Sequence, residues 1–160
     1  MNTLPVRLLV LAASVVLASA AVAPAPAANL NVNAAECQST FPPQDNLIHS
    51  DFGVSTPATW QFSLAIACAL PRSPLAPGAT SGGFYIDGDN RNGASTSCSI
   101  LSWDYTGLFL GATSFTTSDA HYDQFVSLPA TQLTFWAYVT MNCQLPANGN
   151  ATLRGVTSLQ

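Results

Sequence analysis

Hydrophobic and polar residues alternate along two long stretches of this 160-residue chain. In residues 60–70 (WQFSLAIACAL), every even position is large or apolar, and every odd position is Gln, Ser or Ala. Residues 133–145 repeat the pattern with the apolar set at odd positions, including Phe135, and with Trp136 among the even positions. Because successive side chains of a strand point to opposite faces, this period of two predicts two half-buried β-strands of fixed register.

Shorter segments also favour strands, and turn-forming residues separate them. The candidates are residues 30–40, 47–55, 83–87, 97–105, 108–115 and 122–128. Turn signals include Asp87-Gly88, Asn92-Gly93 and residues 105–107, and the proline-containing segment 71–82 predicts a long surface loop. The chain is therefore predicted to be all-β, an antiparallel β-sandwich of about seven to nine strands stapled by disulfides.

The first 27 residues have the three-part layout of a secretory signal peptide. Arg7 supplies a positive charge, residues 8–17 are apolar or small, and Ala25-Pro-Ala27 fits the small-residue cleavage rule. The apolar run is about ten residues long, whereas roughly 20 are needed to span a bilayer. We expect a signal peptide at 1–27 and a single β-sandwich domain at 28–160, in a secreted or periplasmic protein with no membrane span in its mature form.

The mature chain keeps four cysteines, Cys37, Cys68, Cys98 and Cys143. An even number of cysteines in an exported protein indicates disulfides, here two. A zinc site is not expected, because the chain has no Cys-x-x-Cys pair. Three connectivities are open from the sequence, and we favour Cys37 with Cys68 and Cys98 with Cys143.

Short motifs around these cysteines add a resemblance to other proteins. They are Cys68-Ala-Leu-Pro-Arg72, Ser97-Cys98 and Cys143-Gln-Leu-Pro146. In these motifs the chain resembles a loose group of small exported bacterial β-domain proteins that carry Cys-x-Leu-Pro sequences. The resemblance implies an exported β-domain and brings no catalytic residue with it.

Charged residues are scarce in this chain, and their scarcity excludes one class of partner. Only 8% of the residues are charged, lysine is missing, and the formal net charge is −4, whereas a typical soluble domain is about 25% charged. A basic patch that could neutralise phosphates is therefore missing, so we do not expect binding to nucleic acid. Low charge also weakens the electrostatic protection against association, which leaves self-association or a protein partner open.

The polar face of the predicted strand 133–145 is the candidate binding surface. It carries Trp136, Tyr138 and Asn142, which are two flat aromatic side chains beside an amide. Such a face suits the stacking and hydrogen bonding that hold a sugar ring. The first hypothesis for function is therefore a non-enzymatic structural or binding module that needs no cofactor and has a glycan as its candidate ligand.

The alternative hypothesis is a metal-dependent or carboxylate-based hydrolase. Two sets of donors each share a strand face in this prediction: His49 with Asp51, and Asp119 with His121 and Asp123. If the two histidines converge, these side chains form a two-histidine, carboxylate metal site. A pair of carboxylates such as Asp104 and Asp123 would instead suit glycoside hydrolysis.

Overall fold

The computed structural model describes residues 29–40, 46–72 and 74–159, which form two β-sheets. The predicted signal peptide lies outside the described residues. The strands are β1 (Leu30–Asn33), β2 (Gln38–Ser39), β3 (Ile48–Ser50), β4 (Gly53–Ser55), β5 (Leu64–Leu70), β6 (Ser81–Asn90), β7 (Thr96–Trp103), β8 (Phe109–Thr117), β9 (His121–Pro129), β10 (Tyr138–Leu145) and β11 (Ala151–Leu159). Short 3₁₀ turns occupy Ala34–Glu36 and Ala130–Gln132.

One sheet has six strands and the other has five. The six-stranded sheet runs in the order β3-β4-β11-β6-β9, and β1 also pairs with β11. The five-stranded sheet runs β2-β5-β10-β7-β8. The pairings between described strands are antiparallel, so the predicted all-β sandwich is confirmed. Within the described part of the chain, no helix has the length and apolar character to cross a membrane.

The core lies between the two sheets and uses the alternating apolar positions. Ile66 on β5 and Met141 on β10 are fully buried. They belong to the even and odd positions, respectively, that the sequence predicts to face the core. Phe84 and Ile86 on β6 face them from the other sheet and are equally buried. Each such side chain contributes about 1.5–3 kcal/mol through removal from water, and this contribution keeps the strands in register.

The described residues form eleven strands, more than the sequence predicts. Segment 30–40 is split by the turn Ala34–Glu36, because the Asn33 side chain accepts a hydrogen bond from the Ala35 amide at 2.8 Å and caps it. Segment 47–55 folds back as the hairpin β3–β4. β11 is missed because a bulge between Leu153 and Gly155 interrupts its alternation.

The turn expected at Asp87-Gly88 is wrong, because β6 runs straight through it. The glycine is needed for packing instead: a Cβ at Gly88 would lie 2.2 Å from the Tyr122 hydroxyl oxygen. The turn at Asn92-Gly93 is confirmed, and both residues have positive φ angles of 55° and 70°.

Both disulfides lie on the buried side of the five-stranded sheet. They join Cys37 to Cys68 and Cys98 to Cys143, so the favoured pairing is confirmed. Cys98 on β7 is directly opposite Cys143 on β10 in the register. The two bridges span 31 and 45 residues of sequence, and each is expected to stabilise the fold by about 2–4 kcal/mol.

Candidate functional site

The outer face of the five-stranded sheet is made of small, uncharged and aromatic side chains. On β10, Tyr138 and Asn142 point outward while Val139 and Met141 point into the core. The neighbouring outward positions on β5 are alanines, and those on β7 include Ser97, Ser99 and Leu101. This gives a surface with amide and hydroxyl groups and no charge along the central strand.

An aromatic strip crosses one end of this face. Tyr138 on β10 is directly opposite Trp103 on β7, and the Trp103 ring packs on Phe109 of β8 with the ring centroids 5.1 Å apart. Opposed residues of neighbouring strands project to the same face. Three adjacent strands therefore present Tyr138, Trp103 and Phe109 side by side.

Two loops extend this strip beyond the end of the sheet. Tyr105 follows β7, and Phe135 and Trp136 precede β10, with the Phe135 and Trp136 centroids 4.8 Å apart. Tyr105 and Trp136 together border a shallow depression. We call the whole set the aromatic platform: Trp103, Tyr105, Phe109, Phe135, Trp136 and Tyr138.

The platform is exposed to solvent, and part of it borders a groove. Trp136 is 67% exposed and Tyr138 is 65% exposed. The groove beside them has a volume of about 390 Å³. Its lining includes Ala69 on β5 and Thr140 on β10, together with Arg72 and Pro74 on the loop that follows β5. The structure thus brings the sequence-predicted Trp136 and Tyr138 together at one groove. Asn142 lies on the same face but further along β10, outside the groove lining.

The sequence-based expectation for the start of β10 needs a correction. The strand begins at Tyr138, and residues 133–137 form a turn in which the Ala137 amide donates to the Thr134 carbonyl at 2.9 Å. Phe135 was expected to face the core but is 64% exposed. Trp136 is exposed as expected, but it sits in the turn rather than on a strand.

Part of the outer face of the six-stranded sheet is charged. Asp89 on β6 is at the centre, with its Oδ1 2.5 Å from Nδ1 of His121 on β9 and its Oδ2 accepting from Nε of Arg154 on β11 at 2.6 Å. Burial works to raise the pKa of Asp89, but the hydrogen bonds from His121 and Arg154 outweigh it and hold that pKa below its usual range. Asp89 is thus an ionised carboxylate with both oxygens occupied.

A second acidic pair lies next to this cluster. Asp87 is directly opposite Asp123 on the neighbouring strand. Burial raises the pKa of Asp87, and the adjacent Asp123 carboxylate raises it further. We call Asp87, Asp89, His121, Asp123 and Arg154 the charged cluster.

The two-histidine metal site expected from the sequence is not formed. His49 on β3 and His121 on β9 lie at opposite edges of the six-stranded sheet, which is roughly 19 Å apart at the usual strand spacing. The His49 ring nitrogen Nδ1 is hydrogen-bonded to the Ala35 carbonyl at 2.8 Å. Among the described residues, no group of three or more His, Cys, Asp and Glu side chains could hold a metal ion.

The remaining acidic candidates also lie apart. Asp51 is in the turn between β3 and β4, and Asp119 precedes β9, where its carboxylate accepts a hydrogen bond from the Thr117 hydroxyl at 3.0 Å. Asp104 follows β7 of the five-stranded sheet, whereas Asp123 faces outward from the six-stranded sheet. The structure therefore does not place Asp104 and Asp123 on one surface, and the partner of Asp123 is Asp87.

Comparison with known proteins identifies the fold. No family model matches the chain, and a search of curated proteins also gives no match. Among solved structures, a family 35 carbohydrate-binding module from Clostridium thermocellum is similar with a TM-score of 0.50 and 11% identity, covering 82% of this chain and 97% of that one. The CBM36-1 domain of a multidomain xylanase from the hindgut metagenome of Trinervitermes trinervoides is similar with a TM-score of 0.47 and 10% identity, covering 82% and 96% of the two chains.

Proposed function

We propose that the protein is an exported, non-enzymatic binding module that holds uncharged polysaccharide on the aromatic platform. The observation that carries the proposal is the exposure of Trp136 and Tyr138 beside a groove on the outer face of the five-stranded sheet. Large aromatic side chains clustered on the surface of a soluble domain commonly mark a binding site. The C–H groups of a sugar ring are weakly positive and pack well against the negative face of an aromatic ring.

The charge balance around the platform favours an uncharged ligand. The guanidinium of Arg72 is already hydrogen-bonded to main-chain carbonyls. The Asp104 carboxylate accepts from the Thr106 amide at 2.8 Å and from the Leu108 amide at 2.9 Å. The chain as a whole is acidic, so its net charge repels an anionic polysaccharide. Arg72 is a cation at the groove, but its hydrogen bonds to main-chain carbonyls hold its guanidinium at the turn.

The fold and the disulfides support this proposal. The family 35 carbohydrate-binding module shares the architecture at a TM-score of 0.50, so the same scaffold serves as a carbohydrate-binding domain elsewhere. Disulfides persist in oxidising compartments, and the two found here agree with the export that the first 27 residues predict. A secreted module of this kind would meet its polysaccharide outside the cell.

The test is binding to a polysaccharide panel. Native gels containing soluble xylan, hydroxyethyl cellulose or galactomannan would measure retardation of the protein, with polygalacturonate as the anionic probe. We expect retardation by at least one neutral polymer and none by polygalacturonate. Trp136→Ala and Tyr138→Ala should each weaken binding about 30-fold, because a buried aromatic contact typically contributes about 2 kcal/mol.

Phe125→Ala provides the matched control. Phe125 is also an exposed aromatic residue, 54% accessible, but it lies on the outer face of the six-stranded sheet. This variant should bind as the parent does. The proposal fails if no polymer retards the protein, or if Phe125→Ala abolishes binding while the platform variants retain it.

A further inference from the structure

Arg72 connects the end of β5 to the turn that carries two of the platform aromatics. Its Nη1 donates to the carbonyls of Thr134 at 2.6 Å and Ala137 at 3.3 Å, and its Nη2 donates to the Leu133 carbonyl at 3.2 Å. The three acceptors lie 61 to 65 residues away in sequence. A single guanidinium thus contacts both ends of the segment 133–137.

Arg72 adds hydrogen bonds to the one that the turn makes within itself. Within residues 133–137 the Ala137 amide donates to the Thr134 carbonyl, and this carbonyl also accepts from Arg72. The rigid, planar fork of a guanidinium can hold several carbonyl oxygens at fixed angles, which a lysine ammonium cannot do. Because all three partners are main-chain carbonyls, the cation acts on the conformation of the turn.

We infer that Arg72 is the positioning residue of the aromatic platform: it holds residues 133–137 in the conformation that presents Phe135 and Trp136 at the groove. The binding consequence rests on the proposed function, whereas the conformational consequence does not. Burial lowers the pKa of Arg72 from its usual value, which agrees with a guanidinium partly withdrawn from water by the turn that it supports.

The conformational consequence is tested without any ligand. Hydrogen exchange would be compared between the parent, Arg72→Ala and Arg72→Lys at two amides: that of Ala137, which donates to the Thr134 carbonyl within the turn, and that of Leu133, which donates to the Ala130 carbonyl where the turn begins. We expect exchange to accelerate about tenfold or more in Arg72→Ala, with β10 amides such as Met141 unchanged. Arg72→Lys should recover only part of the protection, because it keeps the charge and loses the fork.

Arg91→Ala is the control for the loss of a positive charge. Arg91 is exposed and follows β6 on the other sheet, so exchange in residues 133–137 should not change in this variant. Unchanged exchange at Leu133 and Ala137 in Arg72→Ala would overturn the inference, as would full recovery by Arg72→Lys. Both results remain decisive even if no polysaccharide binds.

The binding consequence is tested by a double-mutant cycle with soluble xylan, or with whichever neutral polymer retards the parent protein most. Arg72→Ala alone should weaken binding about tenfold. In a background that carries both Phe135→Ala and Trp136→Ala, the same substitution should cost less than about twofold, because its effect acts through those two side chains. Equal losses in both backgrounds would show that Arg72 contacts the polysaccharide directly, and the positioning role would then be wrong.

Discussion

The two outer faces of the sandwich differ in whether their prominent side chains have partners within the chain. On the six-stranded sheet, the Asp89 carboxylate is hydrogen-bonded by both His121 and Arg154. On the five-stranded sheet, Trp136 and Tyr138 project into solvent beside a groove. Asp89 thus has partners for both of its oxygens within the chain, whereas the aromatic platform has large apolar surfaces that nothing in the described chain covers.

The two sheets also differ in how they are held together. Both disulfides belong to the five-stranded sheet and its flanking segment, and the described strands of the six-stranded sheet contain no cysteine. Cys98–Cys143 joins β7 to β10, the strands that carry Trp103 and Tyr138. The disulfides therefore reinforce the five-stranded sheet, which is also the sheet that carries the exposed aromatic surface. A rigid support lowers the entropy cost of ordering a binding surface.

Removal of the disulfides is expected to give the largest effect. Replacing all four cysteines with serine should lower the free energy of unfolding by about 4–8 kcal/mol, a large part of the roughly 5–15 kcal/mol typical of a domain. Thermal unfolding followed by circular dichroism detects this loss as a lower melting temperature. A melting temperature that neither the substitutions nor reductant lowers would contradict the reinforcement of the five-stranded sheet.

The two bridges can be separated by removing one pair at a time. Their sequence separations of 31 and 45 residues are similar, so the chain-entropy difference between them is only about 0.3 kcal/mol. Loss of Cys98–Cys143 should nevertheless weaken polysaccharide binding more than loss of Cys37–Cys68, because only the former joins the two strands that carry Tyr138 and Trp103. Equal effects on binding would remove the link between this bridge and the platform.

Asp89→Asn tests the charged cluster and should cost about 1.5–3 kcal/mol near neutral pH, where the carboxylate holds two charged hydrogen bonds. The pKa of Asp89 is lowered in the folded protein, whereas an unfolded aspartate has a pKa of about 3.9. Its stabilisation is therefore present above that value and lost as the pH falls through the lowered folded pKa. Denaturant unfolding of parent and variant across the acid range measures how this cost disappears.

Asp87→Asn is the matched control, two residues away on the same strand face. Burial and then Asp123 raise the pKa of Asp87, so the sign is reversed: the ionised form destabilises the fold as the pH rises through the folded pKa. The variant should be slightly more stable at neutral pH, by about 0.5 kcal/mol or less because the group is partly exposed, and should equal the parent in acid. If the two substitutions changed the free energy of unfolding with the same pH dependence, the opposite pKa shifts of Asp87 and Asp89 would be wrong.

The sequence predicts the parts of this comparison that depend on local periodicity. The alternation in β5 and β10 places Ile66 and Met141 inside and Tyr138 outside, as observed. Where the alternation is interrupted, the sequence-based expectation is wrong. Phe135 was assigned to the core because the period was extended into a turn, and β11 was missed because its bulge reverses the parity after Leu153.

Contacts between distant segments could not be predicted, because they depend on the order of strands in each sheet. The same topology that separates His49 from His121 brings Asp89 to His121 and Arg154, which lie 32 and 65 residues away in sequence. In the sequence, Arg72 stands out only as the last residue of a Cys-x-Leu-Pro-Arg motif. No local pattern links it to the turn at residues 133–137. Strand order is set by the packing of the whole sandwich.

The smallest expected effect is that of salt on binding. If the platform binds a neutral polysaccharide through uncharged groups, raising the salt concentration from about 0.05 M to about 0.5 M should change the dissociation constant less than about twofold, because salt screens only charged contacts. Calorimetry at the two concentrations with the retarding polymer measures this. The same increase should reduce the cost of Asp89→Asn, since its partners Arg154 and His121 are largely exposed. A dissociation constant that rises tenfold with salt would place charged side chains in the contact, either Arg72 at the groove or the charged cluster of the six-stranded sheet, and binding through uncharged groups would then be wrong.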